Sequence, residues 1–111
     1  MRLFFLPVCG AGLLVLAGCS TPPPPVEGPV TLAAQQRSLD LESVRRGRTH
    51  FVTDCVRCHD VIQPCDRTEA EWETILPRMA ARARLKGAAF DDLRAYVLAA
   101  HEVPPPAEPA H

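Results

Sequence analysis

The stretch whose reading decides this protein is Cys55-Val56-Arg57-Cys58-His59. It has the C-x-x-C-H pattern through which haem is fastened covalently to a polypeptide. Each thiol can add across one vinyl group of the porphyrin, and the histidine that follows is close enough to offer an imidazole to the iron. The rest of the 111-residue chain falls into place around that motif.

The N-terminus says where the chain is made. Met1-Arg2 is a short basic start, and Leu3 to Ala17 is an apolar run broken by Pro7. A stretch of this length is short for a membrane span and suits an export signal. Leu16-Ala17-Gly18-Cys19 then resembles a bacterial lipobox, which implies cleavage before Cys19 and lipid on its sulfur. The other readings are a plain signal peptide with a chance cysteine, or an uncleaved anchor. Covalent haem attachment in bacteria also takes place outside the cytoplasm, so two independent motifs imply one compartment: the periplasmic side of a membrane. Ser20, a non-aspartate after the lipid cysteine, resembles outer-membrane sorting and favours that membrane slightly.

The five cysteines can then be assigned. Cys9 leaves with the signal, Cys19 takes lipid, and Cys55 and Cys58 take haem. Only Cys65 has no role. An odd cysteine in an exported chain points to a free thiol or a link to another chain; the expectation favoured here is a buried, inert thiol.

The formal charge is -1, and loss of Arg2 with the signal makes it -2. That is too weak a balance to argue for nucleic acid or for a strongly charged partner. Prolines concentrate in the flanks, at Pro22 to Pro25 and Pro29 on one side and Pro104 to Pro106 and Pro109 on the other. The expected organisation is a lipoprotein signal peptide over 1–18, a lipidated cysteine with an extended Pro-rich linker over 19–37, one compact domain over 38–102, and a disordered Pro-rich tail over 103–111. The eighteen residues from Ser20 to Arg37, fully extended, would reach about 56 Å at ~3.1 Å per residue. A domain this small buries little of its unfolded surface and often leans on a metal, cofactor or disulfide. Its aromatics are only Phe51, Trp72, Phe90 and Tyr96, so a haem would add the large apolar body that the side chains lack.

The pattern predicts three helices and no strand. The first runs from about Asp40 to Thr53, with Asp40 as N-cap and Leu41, Val44, Phe51 and Val52 near one face. Gly47 is a poor helix residue whose use is to let another helix cross closely. The second starts after Thr68, where Thr-Glu-Ala-Glu is a capping box closed by Glu71. Trp72, Ile75, Met79 and Ala83 recur along it, and Pro77 is expected to kink or split it near Leu76. The third runs from about Ala89 to His101, with Phe90, Leu93, Tyr96, Val97 and Ala100 on its apolar side and Asp91 and Asp92 near its positive end.

From Val44 to His101 the chain resembles the small single-haem cytochrome c domains. The resemblance is carried by the C-x-x-C-H motif, Gly47 and Phe51 before it, a downstream methionine, and a terminal helix with Leu93 and Tyr96. It implies an all-α, three-helix cytochrome c-like fold wrapped around one covalently bound haem c. It also implies that the first and last helices cross at the glycine and aromatic. Pro64 resembles the family's proline whose carbonyl accepts a hydrogen bond from the ligating imidazole; Gln63 or a turn carbonyl are alternatives. The segment from His59 to Met79 is short, which implies a trimmed haem edge.

His59 and Met79 are the expected axial ligands. Met79 lies twenty residues after His59, on the face that carries Trp72 and Ile75, and a thioether raises the reduction potential relative to a second imidazole. Met79 as ordinary core filler is the bland alternative. His50 and His111 are read as non-ligands and His101 as a weaker candidate for the sixth position. Arg78, Arg82, Arg84 and Lys86 surround Met79 in sequence; they either pair with haem propionates, steer an acidic partner, or form a solvated face. The expected function is a membrane-tethered electron carrier and not an enzyme, working with redox protein partners and without nucleic acid. The alternatives are a haem-based sensor or peroxidase-like protein, a zinc module built on Cys55, Cys58, His59 and Cys65, and a thioredoxin-like site at Cys55 and Cys58, which would need strands around it.

Overall fold

The computed structural model describes residues 21–55 and 62–107. Within them the chain is all-helical, with α1 over Gly28–Gln36, α2 over Leu41–Thr53, a 3-10 turn over Pro64–Asp66, α3 over Glu69–Ala83 and α4 over Ala88–Ala100. The three expected helices are present, and α1 is a fourth.

Local chemistry sets the ends of α2 and α3. The Asp40 carboxylate accepts from the Ser43 N–H at 2.9 Å, which caps α2. At α3 the capping box closes in both directions: Thr68 Oγ1 accepts from the Glu71 N–H at 3.2 Å, and Glu71 Oε2 accepts from the Thr68 N–H at 2.9 Å. Each cap satisfies donors that the first helical turn leaves orphaned. Arg84 ends α3 in the left-handed region, at φ 59°. Leu85 N–H then donates back to the Ala80 carbonyl at 2.8 Å, and the Leu85 side chain packs on the core. That is the usual return by which a helix satisfies its last carbonyls.

Pro77 does not split α3, whose assignment runs unbroken through it. Both Pro77 and Glu73, whose carbonyl loses its donor, are exposed. Water can take the missing donor's place on that side, so the interruption falls where it costs least.

The main helix–helix interface is α2 on α4. Gly47 makes it possible. A Cβ at that position would lie 1.8 Å from the Asp92 carbonyl oxygen and 2.8 Å from Tyr96 Cβ. Beside this crossing, Phe51 of α2 meets Tyr96 of α4 with ring centroids 5.5 Å apart and Trp72 of α3 at 6.0 Å, edge to face. One aromatic from each of three helices therefore joins at a single point, the Phe51–Trp72 pair in the edge-on geometry that ring quadrupoles favour and the Phe51–Tyr96 pair tilted.

The sequence places Asp92 as a helix-end charge, and the structure gives it a larger part. It is buried beside the crossing, where its carboxylate accepts from Arg46 Nε at 2.8 Å and from Ser43 Oγ at 2.6 Å. The Arg46 hydrogen bond, followed by that from Ser43, holds the Asp92 carboxyl below the usual carboxylate range. A group depressed in the folded state stabilises the fold above its unfolded pKa, and that support is lost as pH falls through the folded value. Asp92→Ala is expected to lower the melting temperature at pH 7 by about 4–8 °C, the shift that ~1 kcal/mol produces in a domain of this size. The gap from the parent should narrow below about pH 4, where an unfolded Asp protonates. Thermal melts across pH check both; a gap that stays constant into acid would show that the carboxylate charge has no part.

The segment 19–37, expected as an extended linker, is corrected by the structure over Gly28–Gln36, which form α1. Pro29 stands in the first turn of α1, where a missing N–H costs nothing. Val30 and Ala34 then bury one stripe at i, i+4 spacing, and α1 packs on α4 and α2. Ser38 turns the chain at φ 56°, and Leu39 N–H returns to the Ala34 carbonyl at 2.9 Å. Arg37 reaches Glu69 at the start of α3, with Nη2 to Oε2 at 3.0 Å. The proline count of the flank hid a short run of helix formers. The tail also begins inside the domain, because Val103 is buried, whereas 104–107 are exposed.

Candidate functional site

The motif begins at the end of α2. Cys55, two residues past Thr53, is buried and belongs to the same apolar cluster as Phe51, Trp72 and Tyr96. Cys58 and His59 lie outside the described residues, as do Cys19 and the whole of 1–18. The chain is described again from Ile62, which packs against the cluster from its edge.

Met79 comes to the edge of that cluster on α3. Two stripes run along the helix. Trp72, Leu76 and Ala80 are spaced by four and fully buried. Ile75 and Met79, also spaced by four, form the adjacent stripe and are half-buried against the core. Val52, Ile62, Leu85 and Phe90 have the same half-buried status. The donors that a covalent haem requires on the described chain are therefore a thiol within the apolar body and a thioether at its margin. A soft sulfur donor beside large apolar side chains is the kind of set that such a group would use.

The 3-10 turn between these parts is tied to α3. Pro64 is buried, and its carbonyl accepts from Trp72 Nε1 at 2.7 Å. The indole therefore uses one lone pair of the carbonyl expected to hold an imidazole, and one remains. The bond also explains how a tryptophan can sit fully buried, since its single donor is satisfied. Cys65, expected to be buried, is exposed. It stands in a three-residue turn whose inward position is taken by Pro64, so its side chain points away from the core.

The two described histidines, His50 and His101, have local partners. His50 Nδ1 lies 2.8 Å from Asp54 Oδ2, one turn on. His101 is buried at the end of α4, where Nδ1 donates to the Leu98 carbonyl at 2.9 Å. Its Nε2 faces the carboxylates of Glu102 at 3.6 Å and Glu69 at 3.9 Å. Arg78, Arg82, Arg84 and Lys86 are all exposed, and none has an ion pair among the described residues.

Sequence reasoning missed the polar contacts that hold the N-terminal prolines. Tyr96 Oη donates to the Pro24 carbonyl at 2.7 Å, and burial pushes its phenol pKa up. Arg48 donates to the carbonyls of Pro24 and Pro23 at 3.1 and 3.0 Å. Gln63 Nε2 donates to the Thr21 carbonyl at 2.7 Å. A run of prolines has carbonyls with no local donors, and that was the available signal.

Among the described residues no cluster of three or more His, Cys, Asp or Glu side chains could hold a metal ion, and no helix is long and apolar enough to cross a membrane. Compared with protein-family models, curated proteins and solved structures, the chain gives no match.

Proposed function

We propose that this chain is an exported, lipid-anchored c-type cytochrome domain that carries electrons on the periplasmic side of a bacterial membrane and is not an enzyme. The observation that carries the reading is the pairing of the C-x-x-C-H motif with an apolar body that contains Cys55 and has Met79 at its margin. Cys55 and Cys58 would hold haem c through thioethers, with His59 and Met79 on the iron. The group would supply a one-electron ferric–ferrous couple. The chain's own part is to keep the ligands in place in both states. The junction of Phe51, Trp72 and Tyr96 ties α2, α3 and α4 together, and the Pro64–Trp72 bond fixes the turn that precedes α3. No strand lies among the described residues, which weighs against a thioredoxin-like site.

Two measurements test this. The exported protein should be red, keep its colour through acid-acetone extraction, and titrate as a single one-electron couple. Met79→Ala should lose the weak far-red band of thioether-ligated ferric haem, with a lower potential. If the parent lacks that band, or the reduced parent binds carbon monoxide tightly, an open iron position and a sensor or peroxidase-like role become the better reading. A colourless protein containing zinc would establish the zinc module instead.

The exposed Arg78, Arg82, Arg84 and Lys86 support an anionic redox partner. Association with such a partner should slow as ionic strength rises from 0.01 to about 0.15 M, where the Debye length shrinks to ~8 Å. Stopped-flow electron transfer checks this; a salt-independent rate would leave these residues a solvated face.

A further inference from the structure

We propose that the N-terminal proline segment is a strap, and that it holds the domain directly against the lipid surface with the edge carrying Gln63 turned toward the bilayer. The inference rests on the reading of Cys19 as the lipidated residue. An anchored domain on an eighteen-residue flexible tether would search a volume tens of ångströms high. The contacts along 21–24 remove that freedom.

Four carbonyls in succession are engaged by side chains from three parts of the domain. Thr21 accepts from Gln63 Nε2 at 2.7 Å, with Pro22 at 3.4 Å from the same nitrogen. Pro23 accepts from Arg48 at 3.0 Å, and Pro24 from both Arg48 and Tyr96. Pro23 and Pro24 are buried, and α1 follows immediately to bury Val30 and Ala34 on α4 and α2. Proline is suited to this use, because its fixed φ lowers the entropy lost on docking and its carbonyls are free to accept. The first engaged carbonyl, that of Thr21, thus stands two positions after Cys19 in the chain, a reach of at most about 7 Å.

The exit point also sets orientation. Gln63 holds the Thr21 carbonyl and opens the 3-10 turn Pro64–Asp66, so the chain leaves the domain beside that turn. The face carrying Gln63 and that turn is therefore held at the lipid headgroups. The partner it fits is a redox protein that is itself embedded in or anchored to the same membrane, rather than one diffusing freely.

Neutron reflectometry of the lipidated holo-protein on a supported phosphatidylethanolamine–phosphatidylglycerol bilayer reads the water gap between headgroups and protein. The parent should show no resolved gap. A twelve-residue Gly-Ser insertion between Ser20 and Thr21 should open one. By the square-root law for flexible chains, the insertion raises the reach about 2.6-fold if two residues were free, but only about 1.3-fold if eighteen were. Arg48→Ala combined with Gln63→Ala should open a gap without any insertion. A parent that stays bound yet stands off the bilayer, and whose gap the insertion widens by the smaller factor, overturns the strap. A parent that washes off the bilayer overturns the proposal by the other route, through the anchor itself.

Discussion

Gly47→Ala should destabilise the protein, and Gly47→Val should prevent it from folding stably. At an exposed helix position, Gly→Ala gains about 1 kcal/mol, because alanine loses less backbone entropy. Here the new Cβ would sit 1.8 Å from the Asp92 carbonyl oxygen and 2.6 Å from its carbon. Those atoms are backbone of α4 and cannot swing aside as a side chain would. The two helices must separate, and the junction of Phe51 with Tyr96 and the pairing of Asp92 with Arg46 and Ser43 lie at the same crossing. Overpacking a core costs about 1–3 kcal/mol where side chains can yield, and more where they cannot. The clash therefore outweighs the propensity gain. Valine adds bulk and a stiff χ1 against a domain whose total stability is on the order of 5–15 kcal/mol. Melts followed by circular dichroism decide the matter; a Gly47→Ala protein that melts higher than its parent would show that α2 and α4 do not cross here.

The second large effect belongs to the motif. The double variant Cys55→Ser, Cys58→Ser should emerge from export without the covalently added mass of one haem, and any residual colour should pass into acid-acetone. A hydroxyl at these positions does not form the thioether, whereas a thiol does. Each single variant should keep one bond and its colour. Stability should fall with the cofactor, since binding to the native state alone stabilises it. Cys55→Ser also places a hydroxyl inside the apolar cluster, so Cys58→Ser is the cleaner measure of lost attachment. Intact-mass spectrometry of exported material reads the outcome. An unchanged mass between parent and double variant would remove the haem reading and with it the electron-carrier proposal.

These two expectations differ in how they could be found. Asp40, Thr68 with Glu71, and the apolar spacing along 69–83 and 88–100 could be read in advance, because a cap or a helical face is a relation between residues three or four apart. Gly47 could be read as a close crossing, since a glycine inside a helix needs a reason. Cys55 and Met79 could be named from the sequence as candidate sulfur ligands. Their common membership of one apolar body could not, because it depends on α2, α3 and α4 meeting.

Other features were legible only in three dimensions. The burial of Asp92 rests on Arg46 and Ser43, forty-six and forty-nine residues away in the chain. The docking of Pro24 rests on Tyr96, seventy-two residues away. Composition described the flank as proline-rich and therefore extended. Which donors stand opposite those carbonyls is a property of the assembled surface. Cys65 is a smaller case of the same kind: its exposure follows from Pro64 taking the inward place in a turn shared with Trp72.

The amino-acid sequence alone thus determined the all-helical class, the starts of α2 and α3, the glycine at the helix crossing and the candidate residues for the chemistry. Each of these is written in short-range spacing and side-chain type. Only the tertiary structure decided that the N-terminal segment is part of the domain, that α3 runs through Pro77, and that Asp92 braces the crossing. Those outcomes depend on long-range donors, on which side of a helix faces water, and on how close two backbones approach.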